Sequence, residues 1–278
     1  MTETPLSRAR VLAAPHSQPA SRRQIAWLLL GSLPMLVFLL VPLVALLLRI
    51  PPAQLLANLG SREVTQAISL SMVTTAITVA VSVLAGTPLA YLLARRRFRG
   101  RTALDTLIDL PMVLPPSVAG IALLVAFGRR GLVGQYLSVV GVELAFTTAA
   151  VVLAQVFVAA PFYIKAAAAG FAGVDRELEQ AAALDGAGPL DVARYVTVPL
   201  AWTSLLGGAV MTWARALGEF GATIIFAGNF VGRTQTMPLA IYQGFEQDLN
   251  VALTLAVILL AVSFGILFVV RGVLQQRV

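Results

Sequence analysis

Residues 173–199 read GVDRELEQAAALDGAGPLDVARYVTVP, a charged and sharply punctuated stretch between two apolar runs. It holds Asp175, Glu177, Glu179, Asp185 and Asp191 against only Arg176 and Arg194. Asp175 is placed to cap a short helix, and carboxylates at Glu177 and Glu179 suit the positive end of that helix dipole. Leu178, Ala181 and Ala182 would then form a small apolar face. Gly186 supplies a helix stop, and Gly188-Pro189 starts a second helix. A solvated connector is one interpretation. Two capped helices with an Ala-rich face are more than a connector requires, and they point to docking of a partner.

The rest of the chain fixes the setting of this loop. Of 278 residues, 58% are hydrophobic and 12% charged, against about 25% charged in ordinary soluble domains. Crossing about 30 Å of hydrocarbon takes roughly 20 apolar residues in a helix. Six runs qualify, at about 25–49, 64–94, 107–128, 146–170, 196–217 and 251–271. The first is longer than the core of a signal peptide and lacks a small-residue cleavage site. It is expected to be a retained span, bent at Pro34 or Pro42. The expected fold is therefore an all-α integral membrane protein with about six transmembrane helices.

Lys and Arg placement gives the orientation. With the N-terminus in the cytoplasm, inside segments hold 13 of the 20 basic residues and outside segments 5, with Lys165 and Arg215 in spans. Both termini are thus expected to be cytoplasmic. The net charge of +7 reflects this bias and attraction to anionic membrane lipid, and nucleic-acid binding is not expected. Residues 1–24 look like a disordered cytoplasmic tail, residues 25–60 the first span with an external loop, and residues 273–278 a short cytoplasmic tail. The chain has no Cys, and its single His, His16, lies in the tail. Thiolate metal sites, cysteine nucleophiles, histidine clusters and Ser-His triads are excluded, so neither a catalytic nor a metal site is expected. A P-loop needs a Gly-Lys-Ser/Thr sequence. The only lysine, Lys165, follows Ile164. ATP hydrolysis must belong to another subunit.

Several spans carry more than hydrophobicity. Ser71, Thr74, Thr75, Thr78 and Ser82 recur at helical spacing and share one narrow face. Such a stripe serves interhelical hydrogen bonding or lines a translocation pathway. The third span opens with Asp105 and Asp109, then places Pro111, Pro115 and Pro116 before Ser117, which a regular helix cannot absorb. Broken backbone at membrane depth is tolerated only where protein or a water-filled cavity satisfies it. Arg215 and Glu219, four residues apart near a break at Gly218 and Gly221, are either a structural ion pair or part of the pathway. Phe220 to Asn229, in an external segment, is too short to span and fits a re-entrant half-helix or a cap.

A family resemblance follows from these residues. Gln180-Ala181-Ala182, Gly186 after three residues, and Val196, Val198 and Pro199 after nine more resemble the EAA loop of ABC importer permeases. That loop reads E-A-A, three residues, G, nine residues, I-x-L-P. Gln180 stands where the motif has Glu, directly after Glu179. Asp109-Leu-Pro111, Pro115-Pro116-Ser117 and Gly120 resemble a span of sulfate and molybdate permeases. So do Arg215 to Thr223, Gly232 to Thr236, and Pro238. The chain looks most like the molybdate permeases of that group. The resemblance implies a type I ABC importer transmembrane domain over 61–272, with Glu179, Gln180, Ala181, Ala182, Asp185, Gly186 and Pro199 coupling it to the ATPase. Pathway candidates are the hydroxyl stripe with Ser117, Arg215, Gly218 and Glu219. It further implies a homodimer in the bacterial or archaeal inner membrane, two cytoplasmic ATPase subunits holding ATP and Mg, and an external substrate-binding protein. The chain itself is expected to bind no cofactor. The implied cargo is molybdate or tungstate. Sulfate or thiosulfate carriage with a second permease chain stays open, as does an ATP-independent anion channel or secondary transporter.

Overall fold

A computed structural model describes residues 22–275. Among them every regular element is helical: α1 (Arg22–Arg49), α2 (Pro52–Leu59), α3 (Arg62–Arg95), α4 (Arg101–Val113), α5 (Pro116–Phe127), α6 (Gly134–Val139), α7 (Thr148–Gly173), α8 (Arg176–Leu184), α9 (Pro189–Val192), a π-turn (Ala193–Thr197), α10 (Val198–Leu200), α11 (Trp202–Leu217), α12 (Gly221–Ala227), α13 (Met237–Gln247) and α14 (Leu249–Gln275). Of the expected tails, 1–24 and 273–278, residues 1–21 and 276–278 lie outside the described residues, whereas 22–24 and 273–275 are helical, as the ends of α1 and α14.

The chain forms two compact units that divide between Arg49 and Ile50. In the first, α1 stays helical through Pro34 and Pro42. A proline removes one hydrogen bond without ending a long apolar helix. Its Leu, Val, Phe and Met side chains are exposed, as on a lipid-facing span. The second unit holds α2 to α14. Among the described residues four helices, α1, α3, α7 and α14, are long and apolar enough to cross a membrane singly. The other two expected spans are broken. α4 and α5 meet at 115°, and the α9–α10 segment meets α11 at 73°.

Small residues set the packing around α7. Ala150, Ala154, Ala159 and Ala167 on that helix are buried, which lets α3 and α11 approach closely. A Cβ on Gly86 of α3 would lie 3.0 Å from the Tyr163 ring. The Tyr163 hydroxyl meets Thr87 at 2.6 Å. On α11, Thr212 donates to the Ala159 carbonyl at 3.2 Å. A Cβ on Gly208 would meet the Ala166 Cβ at 2.8 Å. Gly86 thus serves a close helix approach, and α3 continues without interruption through Pro88. α2 packs on α14, where Asn58 donates to Thr254 at 2.9 Å.

Gly208 and Gly207 form a matched test of this seam. Gly208→Val must displace α7 and should cost about 1–3 kcal/mol. Gly207→Val meets nothing within 4 Å and should be tolerated. Thermal midpoints of the two variants in one detergent should separate clearly, and equal midpoints would contradict the close approach.

Candidate functional site

The 173–199 loop folds as its punctuation dictates. Asp175 caps α8 by accepting the Glu177 amide at 2.9 Å. Asp185 closes the helix, and Gly186 follows with φ +92°, a left-handed conformation that costs a side-chain-bearing residue about 1–2 kcal/mol. The amides of Gly186 and Ala187 return to the carbonyls of Ala183 and Ala182. Pro189 then opens α9. Further on, Pro199 lacks an N–H, and in a regular helix its ring would strike the carbonyl of Tyr195. The chain widens into the π-turn Ala193–Thr197 just before it.

One ion pair ties the loop to the membrane helices. Arg95, the last residue of α3, contacts Glu179 at 2.9 Å, with side chains only 7% and 16% exposed. The same guanidinium nitrogen donates to the Val174 carbonyl at 2.9 Å. Thr197, fully buried, donates to the same Glu179 oxygen at 2.6 Å. Glu179 therefore joins α3, α8 and the π-turn, while Gln180 is exposed. Ala181, Asp185, Gly186 and Pro199 are also exposed, and Ala182 is half-buried. Leu178, Leu184 and Leu190 stand out at 50%, 88% and 85% exposure, an apolar surface larger than the small face expected from Leu178 and two alanines.

The hydroxyl stripe on α3 is buried throughout: Ser71, Thr74, Thr75, Thr78 and Ser82 are at most 2% exposed. Thr78 donates to Gln155 of α7 at 3.0 Å. Ser71 accepts the Met237 amide at the start of α13 at 2.8 Å. Thr75 and Ser82 bond to backbone carbonyls one turn back within α3. Within this protomer the stripe makes interhelical and intrahelical hydrogen bonds.

Two backbone breaks meet within the bundle. The first is Leu114–Pro115 between α4 and α5; the second is Gly218–Phe220 between α11 and α12. A Cβ on Gly221 would lie 2.7 Å from Pro116, and one on Gly120 would lie 2.9 Å from the Ala222 carbonyl. Glu219 is 1% exposed and contacts Arg215 at 2.8 Å. It also accepts the Ala222 amide at 2.8 Å, so the carboxylate caps α12 and holds the break together. Ser117 and Gly218 are exposed beside it, and the Arg215 side chain is 28% exposed. α12 is buried against α5 and α7, as a re-entrant half-helix would be.

Sequence reasoning missed the partners. Lys165 on α7 donates to Asp105 at 2.7 Å and Asp109 at 2.9 Å, which accounts for a lysine inside a span. Arg95, Thr197 and Gln155 were likewise not identified. Their only sequence signal is a polar residue at a helix end or on an apolar face, and such residues are common.

Solved structures with the same arrangement define the class. The chain superposes on a bacterial ABC transporter involved in the import of alginate with a TM-score of 0.72, covering 91% of this chain and 94% of that one at 16% identity. For an inward-facing MetNI methionine ABC transporter the TM-score is 0.58, over 77% of this chain and 94% of that one at 17% identity. This is the fold of an ABC importer membrane subunit. Residues 86–278 match the model for binding-protein-dependent transport system inner membrane components, and the chain belongs to that family. It is 44% identical to the molybdenum transport system permease protein ModB of Mycobacterium tuberculosis over 85% of this chain and 90% of that one. It is 38% identical to a probable molybdenum ABC transporter permease of Haloferax volcanii over 91% of each. The protein is thus a multi-pass plasma-membrane transport component and not an enzyme.

The ion pair makes a specific demand. Glu179→Ala leaves Arg95 without its carboxylate and Thr197 without its acceptor, and should cost about 1.5–3 kcal/mol. Gln180→Ala, at an exposed position, should stay within about 0.5 kcal/mol. Thermal unfolding of the two variants in detergent checks the ranking, and a larger loss for Gln180→Ala would reverse it.

Proposed function

We propose that this chain is the permease subunit of an ATP-driven importer carrying molybdate, and the closely similar tungstate, into the cell by alternating access. The observation that carries the coupling role is the 173–199 loop. It is two short capped helices with exposed Leu178, Leu184 and Leu190, tied to α3 through a mostly buried ion pair, in a chain whose sequence holds no P-loop. The kinship to molybdenum permeases at 44% and 38% identity supports the cargo.

In this mechanism two copies of the chain form the pathway through their transport domains, residues 61–272. Two cytoplasmic subunits bind and hydrolyse ATP with Mg, and an external binding protein delivers the oxyanion. Residues 179–186 and Pro199 belong to the docking loop. When the ATPase pair closes, α8 moves with it. The Arg95–Glu179–Thr197 junction passes that displacement to α3 and to the segment leading into α11. Ser117 and Gly218, exposed at the meeting of the two breaks, and the half-buried Arg215 are available to the passing dianion. Glu219 keeps the arginine nearly neutralised, so the site attracts the anion without trapping it. The buried stripe from Ser71 to Ser82 holds α3 to α7 and to the start of α13. Both termini lie in the cytoplasm.

Two experiments test this. Gly186→Val places a β-branched residue at φ +92°, a strain of at least about 1–2 kcal/mol, with nothing within 4 Å of the new Cβ. The variant should insert normally, yet ATP hydrolysis in the reconstituted complex should no longer drive uptake. Unchanged uptake would remove the loop from the coupling mechanism. Labelled molybdate uptake by the wild-type complex should be blocked by excess tungstate and unaffected by equal sulfate. Sulfate competition together with a second permease chain in the complex would reassign the cargo.

A further inference from the structure

Beside the docking loop lies a cavity of about 740 Å³ lined by Arg95, Arg96, Arg97, Arg101 and Arg176, with Asp175 and Glu177 as the only carboxylates. Asp175 is already engaged as the α8 cap. Arg96, Arg97 and Arg101 make no ion pair among the described residues. The turn at Gly100, with φ +89°, carries the chain from α3 into α4, so Arg101 lines the same cavity as the end of α3. Arg95 stands apart from them. One of its terminal nitrogens serves Glu179 and Val174, while its Nε–H has no acceptor although the side chain is only 7% exposed. A buried donor without an acceptor is uncommon and costly. That Nε–H has no surface open to the cavity, so anion contact there falls to the exposed Arg96, Arg97 and Arg101.

The position selects the anion. α3 ends at Arg95 and α7 at Gly173, so two spans leave the hydrocarbon where the cavity opens. Ala94, Ala172, Gly173 and Val174 complete its lining, and Phe98, close by in sequence, is exposed. That is the depth of lipid headgroups, which are present there at far higher local concentration than any dissolved anion. A topological excess of arginine would scatter charge around the helix ends; here it lines a concave site with apolar flanks.

We propose that this cavity binds the phosphate of an anionic glycerophospholipid, held by Arg96, Arg97 and Arg101. Arginine clusters next to a span attract anionic lipid by amounts that accumulate per residue. The lipid lies against residues 172–177 and so braces the root of the docking loop.

The test uses the full chain, purified with its co-purifying subunits and placed in nanodiscs of phosphatidylglycerol or phosphatidylcholine. Native mass spectrometry reads the lipid retained after release. Wild type should retain phosphatidylglycerol in preference to phosphatidylcholine. R96Q/R97Q/R101Q should lower that preference about tenfold or more, and R96K/R97K/R101K should keep most of it. Arg95 is left in place, so the ion pair to Glu179 survives. Equal retention of the two lipids by wild type, or undiminished preference in the glutamine variant, would overturn the proposal. If the glutamine variant fails to fold, the wild-type comparison in the two lipids still decides. Displacement of the retained lipid by millimolar inorganic phosphate would overturn it in favour of a site for dissolved anions. Lipid retention is read without transport, so it stands or falls separately from the cargo assignment.

Discussion

The close approach of α3 and α11 to α7 is the constraint on which the second unit depends. Lipid tails are as apolar as leucine, so hydrophobicity alone gives membrane helices little reason to associate, and contact must come from small residues and hydrogen bonds. α7 meets that need with a buried alanine seam and with Gln155, which accepts from Thr78. Gly86 and Gly208 remove the atoms that would hold the neighbouring helices apart. Tyr163, fully buried between them, fills the space that remains. With these three helices fixed, the ends of α3 and α7 come together, and the 173–199 loop has a root.

The two breaks follow a different rule. Backbone polar groups inside a membrane must find partners, and at each break a few cannot find them in their own helix. At Gly218–Phe220 the Glu219 carboxylate takes the Ala222 amide. At Pro115–Pro116 two ring nitrogens remove the donors outright. The glycines at 120 and 221 then let the interrupted chains pack at near-contact distance. An interrupted helix is easier to re-orient than a continuous one, which suits a wall that must open alternately to two sides.

Much of this was legible in the sequence because it is local. Run length located the spans, and the cluster of prolines at 111, 115 and 116 located the α4–α5 break. The caps at Asp175, Gly186 and Pro189 were readable because each acts within a few residues. What stayed hidden was long-range pairing. Arg95 and Glu179 are separated by 84 residues, Lys165 and Asp105 by 60, and Thr78 and Gln155 by 77. A single sequence shows that each such side chain needs a partner but not which one. The motif's missing glutamate illustrates this. Spacing placed Gln180 at the key position, and only the fold shows Glu179 engaged with α3 while Gln180 stays exposed.

The Lys165 triad has a consequence for anyone who wishes to watch this protein move. The chain contains no thiol, and its one side-chain amine is clasped by two carboxylates. Thiol-directed dyes and spin labels therefore meet a silent background. A cysteine placed on α8 and another on α3 would be the only two such groups in the chain, and the distance between them could be followed through a turnover without first stripping native residues. Amine-directed reagents should favour the chain's amino terminus over Lys165.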